Sequence, residues 1–196
     1  MNNKLTGYVI AFFLFTIIIL ISCATLGSKV RVQQPETLKQ LKCIVLTEPV
    51  LTQKSGETVT AATDETWHEL VDTRFLYALE ENGLVDFICD DDLKDVINNA
   101  TKDQADLDRY HQAIERPVAN AEAILKTKME IRLKDDNKGD SYVTMQLHDA
   151  NTGGIILEIE FNTMWGKGYV NKPTTLMTIR DGISGAVKLL ADQLRK

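Results

Sequence analysis

From residue 125 the side chains alternate with a period of two: Leu125, Thr127, Met129, Ile131 and Leu133 fall on one side, and Lys126, Lys128, Glu130, Arg132 and Lys134 on the other. That period predicts a strand with one wet face. A polar turn over residues 135–140 separates it from a second alternation, in which Val143, Met145 and Leu147 oppose Thr144, Gln146 and His148. After Asp149-Ala150-Asn151-Thr152-Gly153 comes a third, with Ile155, Leu157, Ile159 and Phe161 set against Glu158, Glu160 and Asn162. Three such strands joined by short turns predict an antiparallel meander with a single polar face. Both turns are rich in oxygen ligands, but neither has the spacing of an EF-hand loop, so hairpin chemistry accounts for them.

Upstream the period is helical. Trp67, Leu70, Val71, Phe75, Ala78 and Leu79 recur at spacings of three and four, with Asp64 placed to cap the helix and Asn82-Gly83 to end it. Short apolar runs at residues 41–46 and 84–89 read as buried strands, and the Thr/Val-rich stretch 50–60 as a small hairpin. Asp90-Asp91-Asp92 precedes Leu93, Val96 and Ile97, and carboxylates there suit a helix N-terminus better than a metal site. Residues 103–122 carry Leu107, Tyr110, Ile114, Val118 and Ala121 on one helical face, with Pro117 expected to bend or restart the helix and His111 expected to be structural. The last helix shows Leu176, Ile179, Ile183, Val187, Leu190 and Leu194 on one stripe, and Gly182 and Gly185 are expected to permit close approach to the sheet. The order predicts an α/β (α+β) fold over residues 41–196, a single mixed sheet with the meander and with helices packed on one face.

The first residues set the compartment. A polar start with Lys4 leads into an uninterrupted apolar run over residues 8–21, ending at Ser22-Cys23-Ala24. This is the layout of a secretory signal. Leu20-Ile21-Ser22-Cys23 resembles the bacterial lipobox, which implies cleavage after Ser22 and acylation of Cys23. The alternative is an uncleaved signal anchor, because the run extended through Leu26 nears the roughly 20 residues that span a bilayer. Both place the domain outside the cytoplasm, and the motif selects the lipoprotein. Ala24 in place of aspartate implies delivery to the outer membrane, on its periplasmic face. Residues 27–40 are polar without a clear period and read, with Cys23, as a tether before the domain.

Cys43 and Cys89 remain in the mature chain. An oxidising compartment permits them to pair, but they lie near opposite ends of what read as neighbouring strands, so buried free thiols are the expectation. Neither a metal-ligand spacing nor a cofactor motif is present. The net charge of −6 without any Lys/Arg-rich run excludes a nucleic-acid partner.

Three stretches resemble a family of envelope lipoproteins that includes the curli-secretion lipoprotein, the flagellar lipoprotein FlgO and the penicillin-binding-protein activator LpoB. These are Ala78-Leu79-Glu80-Glu81-Asn82-Gly83-Leu84-Val85-Asp86-Phe87-Ile88, Asn120-Ala121-Glu122-Ala123-Ile124-Leu125-Lys126-Thr127, and Leu147-His148-Asp149-Ala150-Asn151-Thr152-Gly153-Gly154-Ile155-Ile156-Leu157. The middle stretch lacks the family's glycines. The resemblance implies a fold like the N-terminal domain of TolB and a non-catalytic accessory or assembly role. Its partner would be an envelope protein, such as an assembly factor or a wall-building enzyme, and homo-oligomers occur among its members. Strands of roughly 9–11 residues per membrane crossing leave no room for the curli channel's added hairpins.

Candidate partner contacts are Lys126, Lys128 and Arg132 on the polar sheet face, and Trp165 and Tyr169 in Trp165-Gly166-Lys167-Gly168-Tyr169. Trp and Tyr are over-represented at interface hot spots, although an aromatic at a strand end more often belongs to the edge of the core. No nucleophile elbow, zinc-protease helix or phosphate-binding loop is present, so an enzyme is not expected.

Overall fold

The alternating strands lie at the centre of the molecule and the helices cover one side of them. The structure is a computed structural model, and the described residues are 27–99, 101–135, 138–163 and 174–196. Strands β1 (Ser28–Val32), β2 (Ile44–Leu46), β3 (Val50–Ser55), β4 (Thr58–Ala61), β5 (Ala123–Asp135), β6 (Lys138–Asp149) and β7 (Ile155–Asn162) form one sheet. Its order is β1-β7-β6-β5-β3-β4, with β2 also paired to β5. The fold is thus mixed α/β with one open mixed sheet. The register keeps every apolar row in line: Leu125 faces Leu147, which faces Leu157, and Met129 faces Val143, which faces Phe161. Strands β2 and β3 run parallel to β5, β2 beside Ala123 to Leu125 and β3 beside Lys128 to Leu133.

Among the described residues five helices accompany the sheet: α1 (Pro35–Gln40), α2 (Glu65–Glu81), α3 (Asp91–Asn98), α4 (Gln104–Ile114) and α5 (Thr175–Leu194). Their starts follow from local chemistry. Asp64, Asp90, Asp103 and Thr174 each accept a hydrogen bond from a backbone N–H of the first turn. At the end of α2, Gly83 takes φ +58°, a conformation that costs glycine nothing. Asp91 pairs with Lys94 and Asp92 with Arg116, so the aspartate run is absorbed by capping and ion pairs.

The core lies between the sheet and α2, α3, α4 and α5, with Phe75, Leu76, Ile97, Tyr110, Met129, Met145, Ile183 and Val187 all buried. Helix α5 crosses the meander closely at its two glycines. A β-carbon at Gly185 would lie 2.2 Å from Phe161 Cζ, and one at Gly182 would lie 2.4 Å from Ser141 Oγ. The expectation of close approach is thereby met.

Several expectations are corrected. Residues 28–40 are not a tether. Val30 alternates with Lys29 and Arg31 in β1, which pairs with β7, and Pro35 opens α1, whose Leu38 is buried. Residues 84–89 do not form a strand. Leu84 and Ile88, four apart, are buried on either side of a single 3₁₀ turn (Val85–Phe87), and Ile88 makes one parallel bridge to Ile44. The compact turn delivers Cys89 beside Cys43, with Cys89 N–H donating to the Ile44 carbonyl at 3.2 Å. The two cysteines are therefore bonded rather than free, with Cα atoms 4.8 Å apart, inside the window that the bond demands. The helix expected over 103–122 stops at Ile114, before Pro117, and does not restart. Leu176 is off the buried stripe, because Thr175 and Thr178 take the inward positions in the first turn of α5.

Candidate binding surfaces

The polar sheet face is built by the second member of each alternation. From the β1 edge inward it presents Lys29 and Arg31, then Glu158 and Glu160, then Tyr142, Thr144, Gln146 and His148, then Lys126, Lys128, Glu130 and Arg132. Over β1, β7 and β6 these side chains satisfy one another. The Arg31 guanidinium reaches Glu158 and lies 2.9 Å from Glu160, while Gln146 donates to Glu158 at 2.8 Å and Lys29 stands 3.5 Å from Glu160. The bond from Gln146, together with Arg31, holds the Glu158 carboxyl below its usual range. The Tyr142 hydroxyl does the same for Glu160, aided by Lys29 and Arg31. Burial and that same bond push Tyr142 up to about 12.

Of the three basic residues expected on this face, the structure separates one from the other two. Arg132 is engaged, with Nε 2.6 Å from Glu130 and its guanidinium 5.1 Å from the Tyr142 ring centre. Lys126 and Lys128 are exposed and make no ion pair among the described residues. Two residues apart on one strand, their stems project from the same face about 7 Å apart. Beside Lys128 on the neighbouring strand is Val50, an apolar side chain left 56% exposed. This arrangement can hold a carboxylate-bearing surface with a small apolar contact. Val50 was not singled out in the sequence. Its signal is the parallel pairing of β3 with β5, which periodicity does not reveal.

A cleft of about 330 Å³ opens on the opposite side, between α2, α4 and the segment before β3, lined by Glu48, Glu65, His68, Glu69, Asp72, Gln104, Leu107 and His111. His111 Nε2 is 2.9 Å from Asp72 Oδ2, a partner that spacing did not disclose. Burial raises the Asp72 pKa, and the His111 bond opposes the rise. His68 Nε2 lies 2.9 Å from the Ala62 carbonyl. Neither a hydroxyl nor a thiol lines the cleft to act as a nucleophile, and among the described residues no group of three His, Cys, Asp or Glu side chains is placed to hold a metal ion.

Trp165 and Tyr169 lie outside the described residues, as does Cys23 with the whole signal segment. Among the described residues no helix is long and apolar enough to cross a membrane.

No family model matches the sequence, and no curated protein matches it. Among solved structures, the chain is similar to the PelC dodecamer from Paraburkholderia phytofirmans, at 10% identity and a TM-score of 0.42, over 85% of this chain and 96% of that one. A variant of the same PelC in another crystal form gives 10% identity, a TM-score of 0.41 and the same coverage. A protein of Xanthomonas campestris assigned to DUF330 gives 7% identity and a TM-score of 0.35, over 85% of this chain and 92% of that one.

Proposed function

We propose that this chain is an envelope lipoprotein, held in the outer membrane by acyl chains on Cys23, whose periplasmic domain is a non-catalytic accessory factor that binds another envelope protein. The observation that carries this reading is the Cys43–Cys89 disulfide. Structural disulfides persist in oxidising compartments and are rare in the cytosol. It supports, independently of the signal segment, the compartment that the lipobox-like Leu20-Ile21-Ser22-Cys23 implies. The partner contact is Lys126 and Lys128, without an ion pair among the described residues, together with Val50, which favours an acidic patch on an assembly factor or a wall-building enzyme.

A second reading, an oligomeric subunit, has its own observation. Strand β4 ends the sheet, all four of its residues are exposed, and none is charged. Such an edge is open to pairing with another strand. The two readings separate in intact cells. A photo-crosslinking residue at Lys126 or Lys128 is expected to capture one envelope protein, and Lys126→Glu with Lys128→Glu to abolish capture at a neighbouring site. Equal capture from Asp108, on the exposed side of α4, would remove this face from the account. Capture only of the chain itself, lost in Val59→Lys, would establish the second reading in its place.

A further inference from the structure

The strand at the N-terminus bears on how the domain sits. Gly27 is already part of the fold, its carbonyl accepting the Asn162 N–H at 2.8 Å. Between Cys23 and Gly27 the chain can span no more than about 14 Å even when fully extended. A domain of this size has a radius of gyration of roughly 15 Å. A link shorter than the body that it holds cannot let that body turn freely.

The end of the domain that carries Gly27 is defined by a chain of hydrogen bonds. From Asn162 the next residue, Thr163, accepts the Ser141 N–H at 2.9 Å. The Ser141 hydroxyl donates to the Thr178 carbonyl at 2.9 Å, and the Thr178 hydroxyl donates to the Gly139 carbonyl at 2.9 Å. The first turn of α5 therefore belongs to the same end as the entry of the anchor. That turn presents two adjacent large apolar side chains to solvent, Leu176 at 52% and Met177 at 43% exposure. A single exposed leucine is ordinary. Two in succession, in the turn that hydrogen bonds tie to the acyl-anchor entry, are placed where lipid must be.

We infer that this end of the domain, led by Leu176 and Met177, rests on the bilayer surface, so that the lipid anchor and the first turn of α5 together fix the orientation of the molecule. The inference rests on the anchoring proposed above. Its consequence is directional. The far end, with the Asp149–Gly153 turn and the disulfide, points into the periplasm, and the sheet stands on edge with its polar face open sideways to a partner. Apolar side chains at the headgroup boundary gain from leaving water, as interfacial helices do.

The test uses the full acylated chain, extracted from membranes and reconstituted in vesicles of phosphatidylethanolamine and phosphatidylglycerol. Acylation and the disulfide leave no native thiol to compete, so nitroxide labels go on Leu176→Cys, Met177→Cys and, at the far end, Asn151→Cys. At 176 and 177 oxygen collisions should rise and nickel-chelate collisions fall relative to 151. A chain that floats with the vesicles while all three labels stay equally water-exposed overturns the inference and leaves the anchoring intact. Protection at 176 that grows with the protein-to-lipid ratio overturns it in favour of a second copy. A chain that fails to float, and carries no acyl group, overturns the anchoring and the orientation with it.

Discussion

Removing the disulfide is the most telling perturbation of the fold. Cys43 and Cys89 are 46 residues apart in sequence, and the bond closes a loop containing the β3–β4 hairpin, all of α2 and the 3₁₀ turn. In the chain-entropy account, closing a loop of that length removes about 13.5 cal/mol/K from the unfolded chain, or roughly 4 kcal/mol at 25 °C. Both cysteines are only half-buried, so Cys43→Ala with Cys89→Ala leaves little cavity to add to this. The bond also clamps a weak junction, since Ile88 meets Ile44 through one isolated bridge. Urea unfolding of the oxidised protein and of the double variant should differ by about 3–4 kcal/mol with similar slopes. Adding reductant should lower the parent to the level of the variant and leave the variant unmoved. A difference under about 1 kcal/mol, with the parent shown to be oxidised, would refute the reasoning, because the loop would then be ordered without its clamp.

Other perturbations probe other parts of the account. Gly185→Ala drives a methyl into the Phe161 ring and should destabilise by about 1–2 kcal/mol, helix propensity offsetting part of the overpacking, with Phe161→Leu restoring it in a thermal melt. Lys102 is a buried amine held by Glu80 at 2.5 Å and the Asn99 carbonyl at 2.8 Å. Lys102→Met should cost roughly 1–3 kcal/mol in chemical denaturation, through the acceptor left unmet. Glu158 and Glu160 have lowered pKa values in the folded state, so their contribution is complete above the unfolded carboxylate range and is lost as pH falls through the lowered folded values. In Arg31→Gln with Lys29→Gln, stability measured against pH should lose part of that acid-side slope. Titration of the Tyr142 hydroxyl should move down from about 12 in Glu160→Gln, which removes the carboxylate charge that opposes its ionisation.

Periodicity disclosed those parts of the fold whose burial alternates over long stretches. The meander, α2 and most of α5 stand where their apolar rows place them, because one residue of slip would turn each row toward water. Short elements were less legible. The run at residues 41–46 does hold β2, but a single alternating valine in β1 carries too little pattern to be told from a loop. Residues 84–89 misled because two buried positions four apart, in an apolar run, mimic a strand, and the cysteine pairing was lost with that error. Lys126 and Lys128 were visible as alternation. That Arg132 meets Glu130 two residues away on its own strand and the Tyr142 ring on the next, while Lys126 and Lys128 make no ion pair among the described residues, alternation does not reveal.

Membrane attachment depends most directly on the chemical state of residue 23. Intact-mass analysis of the chain extracted from membranes, with fragmentation of its first residues, reads that state without any assumption about the partner. The expected result is a mature N-terminus at Cys23 bearing a thioether-linked diacylglyceryl group, with loss of both processing and lipid in Cys23→Ser. A membrane-extracted chain that retains Met1, or begins elsewhere with Cys23 unmodified, would contradict it.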